Sequence, residues 1–448
     1  MSIQIDDKNG WFFPEPQANR MHDITVDDLN TLMMVAEADN QWAEQVRQEV
    51  IARDQEIRDG SWRNKPRRDW LLEEFQILNT AGTVVQFPYG LRAITFPSKR
   101  HIYRGENKKY PETVPSLNRA LKNFEAPKEK ELYRVIAHLR KWQFASLIWQ
   151  INVVPYWEAK LCDVNFDALV QHYGFNTHLL DLTNDFKTAL FFSTCKYDKE
   201  TDSFLPLTEE DINESEETKY GFIYHAPDWI IDYFNGGGFM NWSDQHLHIE
   251  QMKPGERRRF YLQSGDMDGV AMQVGYQPLY RCGFQNAYIY PMRNEPSLQE
   301  NWHFEKMRFK QSAELSKQVY EMMDRGKKVY PNEGLSELKD IIKELKQTVV
   351  FSMADLRTSY ELDGIDKNLF PTIDDLYSAI QGFETKEGKI KIRDEEVVYK
   401  IPQELLDKVN EQYDGKDLLE QIGGTPHQKY PDQEYRNQRC IEIYGELI

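Results

Sequence analysis

A chain of 448 residues, 40% of them hydrophobic and 13% aromatic, has enough apolar side chains for two or three cores, which excludes a disordered polymer. A formal net charge of -18 sets the overall field against non-specific nucleic-acid binding, and no apolar run reaches membrane-spanning length. The opening MSIQIDDKNGWFFPEPQ has neither a basic start nor an apolar stretch, so no signal peptide and a cytoplasmic setting are expected.

From the N-terminus, a helix is expected at Thr25, with Asp28 at the capping-box position and Leu29, Leu32, Met33, Ala36, Ala43, Val46 and Val50 at mostly helical spacing. TVVQFPYG (83–90) is a β-branched run closed by Pro88 and Gly90, which predicts a strand, and RHIYRG predicts the next. Leu132, Ile136, Leu139, Leu147 and Ile148 mark the buried face of a helix between 129 and 150. Asn165 is placed to cap FDALVQHY, which Gly174 would end, and THLLDLT is expected as a tight connection. Asn184 or Asp185 then opens an apolar helix, FKTALFFSTCKY.

GFIY (221–224) and LYRCGFQNAYIY (279–290) read as aromatic-rich strands, and RFKQSAELSKQVYEMM and GLSELKDIIKELKQTV as helices. KIKIRDEEVVYKI alternates like a hairpin turning at RDEE, and QELLDKVNEQY reads as the last helix. Helices and strands follow one another without an even βαβ rhythm, so the expected class is α+β. The division expected is a helical extension at 1–95, a mixed sheet flanked by helices at 96–385, and a hairpin-and-helix extension at 386–448.

Cys162, Cys195, Cys282 and Cys440 lie far apart with no C-x-x-C pair and read as structural thiols. No His/Cys spacing suits zinc, since His246 and His248 stand alone; no metal ligand is assigned, and the abundant carboxylates leave magnesium open. WRNKPRRDW (62–70) and ERRRF (256–260) mix basic and aromatic residues in the manner of a single-strand binder. In so acidic a chain, solvated or ion-paired segments are the favoured reading, and nucleic acid is not expected as a partner.

The residues that bear chemistry begin at Arg104. Period two in HIYRG puts Ile102 and Arg104 on one face and His101 and Tyr103 on the other, so Arg104 falls at the rim of a core that holds Ile102. A partly buried guanidinium needs a partner, and its planar fork suits a carboxylate or a phosphate. Gly105 would allow a sharp turn or a close-lying ligand. Asp181 is a partner in one of two ways: a structural ion pair, or a carboxylate that orients Arg104 while a ligand phosphate takes the remaining donors. His172 ends a helix, where the carbonyl-rich terminus favours imidazolium. It is either a general acid or base or a hydrogen-bonded core histidine.

YRG followed by PSL-x-R, then QHYG-x-x-T-x-LLD-x-T running into AL-x-F, resembles the FRG domain, a family named for its (Phe/Tyr)-Arg-Gly motif. RCGFQNA resembles the family's later Arg-x-x-x-Gln element and LDGIDKNLFPTIDDLYSAI (362–380) its C-terminal segment, so the resemblance spans 98–385. His178, Leu182 and Ala287 depart from the usual Arg, Trp and Gly, and imidazole at 178 is mostly uncharged at neutral pH. The motif positions also include Pro115, Ser116 and Gly174. The resemblance marks these positions as a pocket candidate, in which His172 and Asp181 are expected to be catalytic and Tyr103, Arg104, Gly105, Arg119, Gln171, Tyr173, Thr177, Arg281 and Gln285 to bind ligand. It implies an architecture, not a reaction.

The expectation drawn from this is an intracellular microbial enzyme or effector that holds a phosphate-bearing, nucleotide-like ligand around Arg104 and Asp181. The alternative is a non-catalytic sensor or partner-binding module, accessory to a defence or toxin system, with Arg104–Asp181 structural. The aromatic-Arg-Gly element also resembles the first motif of arginine-type ADP-ribosyltransferases, whose arginine holds NAD, and Ser193-Thr194 resembles their Ser-Thr motif. Here that pair falls on an expected helix, and Glu214-Ser-Glu216 lies in an acidic loop. These two placements count against NAD chemistry, so the cofactor stays unassigned with NAD as a minority reading, and the sequence gives no oligomeric state.

Overall fold

HIYRGE forms the expected strand, His101–Glu106, in the interior of an eight-stranded sheet. A computed structural model describes residues 101–155, 164–198, 200–227, 277–301 and 303–413, the segments 4–6, 10–12, 21–24, 82–87, 90–95, 231–232 and 271–274, and isolated positions in 30–61 and at 269. The chain divides into two units that interleave along the sequence. Met1–Val114, Leu180–Leu247 and Asp268–Asn332 make the first; Pro115–Leu179, His248–Met267 and Glu333–Ile448 make the second.

The sheet belongs to the first unit. Its order is Ile231–Asp232, Ala271–Gln273, Ala287–Pro291, Leu179–Thr183, His101–Glu106, Tyr220–Pro227, Glu305–Lys310 and Met21–Ile24. The central pairings are antiparallel, with Arg104 opposite Tyr224, Tyr103 opposite Thr183 and Tyr224 opposite Lys306; Met21–Ile24 adds in parallel at one side. Period two sends alternate side chains into different cores. Ile102 joins Leu180, Leu182, Phe222, Tyr224, Tyr288 and Tyr290 on one face, whereas Tyr103 joins Phe186, Phe191, Ile223, Met307 and Phe309 on the other. Covered on both sides, the strand needs no polar alternation.

The helix Phe186–Thr194 covers the Tyr103 face. It sits so close that a Cβ on Gly105 would lie 1.8 Å from the Ala189 carbonyl oxygen. The turn expected at Gly105 does not occur. The strand runs on to Glu106, and the glycine makes room for a helix backbone.

In the second unit the helix Pro127–Trp149 starts with proline at its first turn, where a missing N–H is harmless. Leu132, Val135, Ile136 and Leu139 pack with Phe351, Leu356, Phe370, Leu376, Ile380 and Ile392, while Tyr133 and Ala137 meet Leu117 and Leu121 of the helix Ser116–Leu121. Asn165 caps Phe166–His172 through the Ala168 amide, and Gly174 leaves that helix at φ +77, a conformation open to glycine without strain. Ser352 and Thr372 open Met353–Leu362 and Ile373–Ile380 with capping boxes, and Gln403–Tyr413 is the last described helix.

The class is α+β, as expected. Several local expectations are corrected. THLLDLT is not a connection, because Leu179–Thr183 is a strand of the main sheet. FKTALFFSTCKY is helical only to Thr194, and Cys195–Asp198 then pairs with Ser203–Pro206. In LYRCGFQNAYIY, Tyr280–Phe284 is a short helix and the strand begins at Ala287. Residues 389–401 do not fold back as a hairpin; Lys391–Arg393 pairs in parallel with Val350–Ser352. Where residues 1–95 are described they include strands, among them the expected one at Gly82–Phe87. Most of the helix expected from Thr25, WRNKPRRDW, ERRRF, His246, His248, Cys162, Cys440 and residues 414–448 lie outside the described residues.

Candidate functional site

Arg104 is held from two sides. Its Nε donates to Glu106 Oε1 at 3.1 Å and its Nη1 to the main-chain oxygen of Asp181 at 2.8 Å. The expected partner is thus present, but through its carbonyl. Leu180 and Leu182 share the core of Ile102, so alternation along Leu179–Thr183 turns the Asp181 carboxylate to the opposite face from Arg104. The carboxylate that grips Arg104 belongs to Glu106, two residues on and therefore on the same face.

Glu106 is fixed in turn. Its Oε2 accepts the Thr113 hydroxyl at 2.9 Å, and Gln299 clamps Thr113 with its amide nitrogen on Oγ1 and its amide oxygen on the backbone N–H, both at 2.7 Å. Tyr224 stands across from Arg104; burial and the Glu106 carboxylate push its hydroxyl well above the ordinary value, against the pull of Thr113 and Arg104. The Arg104 side chain keeps 24% of its surface exposed, and no acceptor among the described residues meets Nη2. A guanidinium so oriented still has donors to offer a planar oxyanion.

The other motif residues of the first unit are more enclosed. Tyr103 lies edge-on to Phe186 at 5.5 Å, wholly inside the core. Arg281 is buried with its guanidinium 3.8 Å from the centre of the Tyr330 ring, and Tyr330 donates to Asp202 at 2.9 Å. The Gln285 side-chain amide donates to the Val329 carbonyl at 3.0 Å, while the Gln285 main-chain carbonyl accepts the Thr183 hydroxyl at 2.7 Å. Ser193 and Thr194 are fully buried at the end of their helix, both hydroxyls donating to the Leu190 carbonyl. Glu216 is exposed and pairs with Lys219. Burial pushes the Cys195 thiol up to about 12, which disfavours a thiolate nucleophile.

Arg119, Gln171, His172, Tyr173 and Thr177 belong to the second unit. There PSL-x-R and QHYG-x-x-T bond to each other. The Thr177 carbonyl accepts the Leu117 amide at 3.1 Å, the Thr177 amide donates to Ser116 Oγ at 3.3 Å, and the Thr177 hydroxyl donates to Gln171. Tyr173 donates to the buried Glu333 carboxylate, whose other oxygen accepts Tyr413 at 3.2 Å. His172 closes its helix and is 9% exposed; Arg119 is exposed.

A family model described as the FRG domain matches residues 99–202. The chain carries an FRG domain. The match takes in Arg104, Arg119, Gln171, His172, Tyr173, Thr177 and Asp181, and ends before Arg281 and Gln285. No curated protein and no solved structure matches the chain. Within the FRG segment, sequence reasoning overlooked Glu106 and Thr113, although period two in HIYRGE already put a carboxylate beside Arg104. Gln299 and Glu333 are distant in sequence and gave no local signal.

Proposed function

We propose that the FRG domain binds a phosphate-bearing, nucleotide-like ligand through Arg104. What supports the reading is one observation: a guanidinium fixed by Glu106 and the Asp181 carbonyl, partly exposed, with Nη2 unmet among the described residues. Fixing the fork beforehand lowers the ordering penalty of binding, and charge-assisted bonds to phosphate are about twice as strong as neutral ones. Asp181 acts at this site through its main-chain carbonyl, and the acid-base roles expected of His172 and of the Asp181 carboxylate are no part of this reading.

Heat-shift screening with NAD, ATP, cyclic nucleotides and RNA tests this. A stabilisation that disappears in Arg104→Ala supports the site; wild-type protein that responds to none of them overturns it.

A second reading is favoured by the bond from Nη1 to Asp181, which ties two neighbouring strands. Arg104 would then be scaffolding in a non-catalytic module. Under that reading Arg104→Ala lowers stability and no anion protects the wild type.

A further inference from the structure

The helix Pro127–Trp149 is buried along most of its length, yet Glu131, Arg134, His138 and Lys141 recur along it three and four residues apart. The Lys141 end of this polar row is closed. Its ammonium lies 2.5 Å from Asp363 and 3.1 Å from Asp167, Trp142 donates to Asp363 at 2.7 Å, and the His138 ring nitrogen is 3.6 Å from Asp363.

The Arg134 end is open. Arg134 Nη1 donates to Glu131, a nearly fully buried carboxylate whose other oxygen accepts the Asp366 amide at 3.0 Å. Arg134 Nε donates to His178 Nε2 at 3.1 Å. That nitrogen therefore carries no proton, and His178 Nδ1, 2.9 Å from Asn118 Oδ1, is the one that does. The His178 and His138 rings are 6.5 Å apart. Arg134 keeps 23% of its side chain exposed, and no acceptor among the described residues meets its Nη2.

We propose that Arg134 is an oxyanion-binding residue, taking a phosphate monoester or a carboxylate on the Nη2 side of its guanidinium. The inference stands on other residues than the Arg104 reading and does not depend on it. A single carboxylate and a neutral imidazole hold the fork in place without using up its donors, and an imidazole acceptor brings no second negative charge to repel the ligand. The planar, permanently charged guanidinium then presents two N–H groups that a lysine could not arrange.

The test uses full-length protein with nitrogen-15-labelled arginine, the Arg134 Nε–H resonance being assigned by its loss in Arg134→Lys. Inorganic phosphate and acetate are titrated separately at constant ionic strength, with chloride as the reference. A saturable shift with either anion supports the proposal, and which anion is effective identifies the oxyanion. A resonance that moves with neither, or as much with chloride, overturns it. Arg134→Gln should weaken binding of the effective anion about tenfold; the wild-type titration decides the matter should that variant fail to fold.

Discussion

Arg104 and Lys141 are both cations set against buried carboxylates, one in each unit, and they differ in what they have left to give. Lys141 is 6% exposed with two carboxylates within hydrogen-bonding distance of its ammonium. Arg104 has a single carboxylate and a carbonyl on two of its nitrogens and none of the described acceptors on the third. The first arrangement consumes its charges inside the fold. The second fixes a charge and leaves it usable. A paired cation is therefore no argument for scaffolding; the donors that remain after pairing separate the two cases.

The comparison breaks first at Asp363. Removing one partner of a buried pair strands the other, so Asp363→Ala should lower stability by about 3–5 kcal/mol in chemical denaturation. A loss below about 1 kcal/mol would show that the Lys141 cluster is solvated, as surface pairs are. Gly105→Ala comes next, at about 1–3 kcal/mol or more, because its Cβ would meet the Ala189 carbonyl oxygen at 1.8 Å. Tolerance of alanine there would place the helix further from the strand.

The pH dependence is smaller and has a definite sign. Burial would raise the Asp363 carboxyl, but Lys141 and His138 outweigh it and hold the group below its ordinary value. A depressed carboxyl contributes stability above the unfolded value near about 4, and that contribution fades as pH falls through the folded value. Wild-type protein should therefore lose stability on acidification in a step that Asp363→Asn lacks. Equal acid profiles would contradict the assignment. Last, Glu106→Gln keeps a side chain of the same shape beside Arg104 while removing its charge. Stability should drop by about 1 kcal/mol, and anion binding at Arg104 should tighten a few-fold. A drop in stability with no gain in binding would favour the scaffolding reading.

Much of this was legible in the sequence where the determining forces are local. Asn165, Asp185 and the helix Gln403–Tyr413 follow from caps and apolar spacing, and Arg104 at the rim of a core follows from the alternation in HIYRG. The FRG resemblance singled out the YRG motif that carries Arg104, and the family match at 99–202 agrees with it. Leu179–Thr183 was illegible as a strand because it is five residues long between two helices and mostly buried. Lys391–Arg393 alternates as expected, but its partner is Val350–Ser352, about forty residues earlier, which no turn signal announces. The site divides in the same way. Glu106 could have been read from spacing alone, whereas the Asp181 carbonyl and the His178–Arg134 bond depend on contacts between segments far apart in sequence.

The account rests most heavily on the free side of the Arg104 guanidinium. Calorimetric titration of the nucleotide that gives the largest heat shift, into wild type and into Arg104→Lys, measures it directly. Lysine keeps the positive charge and loses the fork, so affinity should fall roughly 10- to 100-fold with folding retained. Equal affinity in the two proteins would contradict the account.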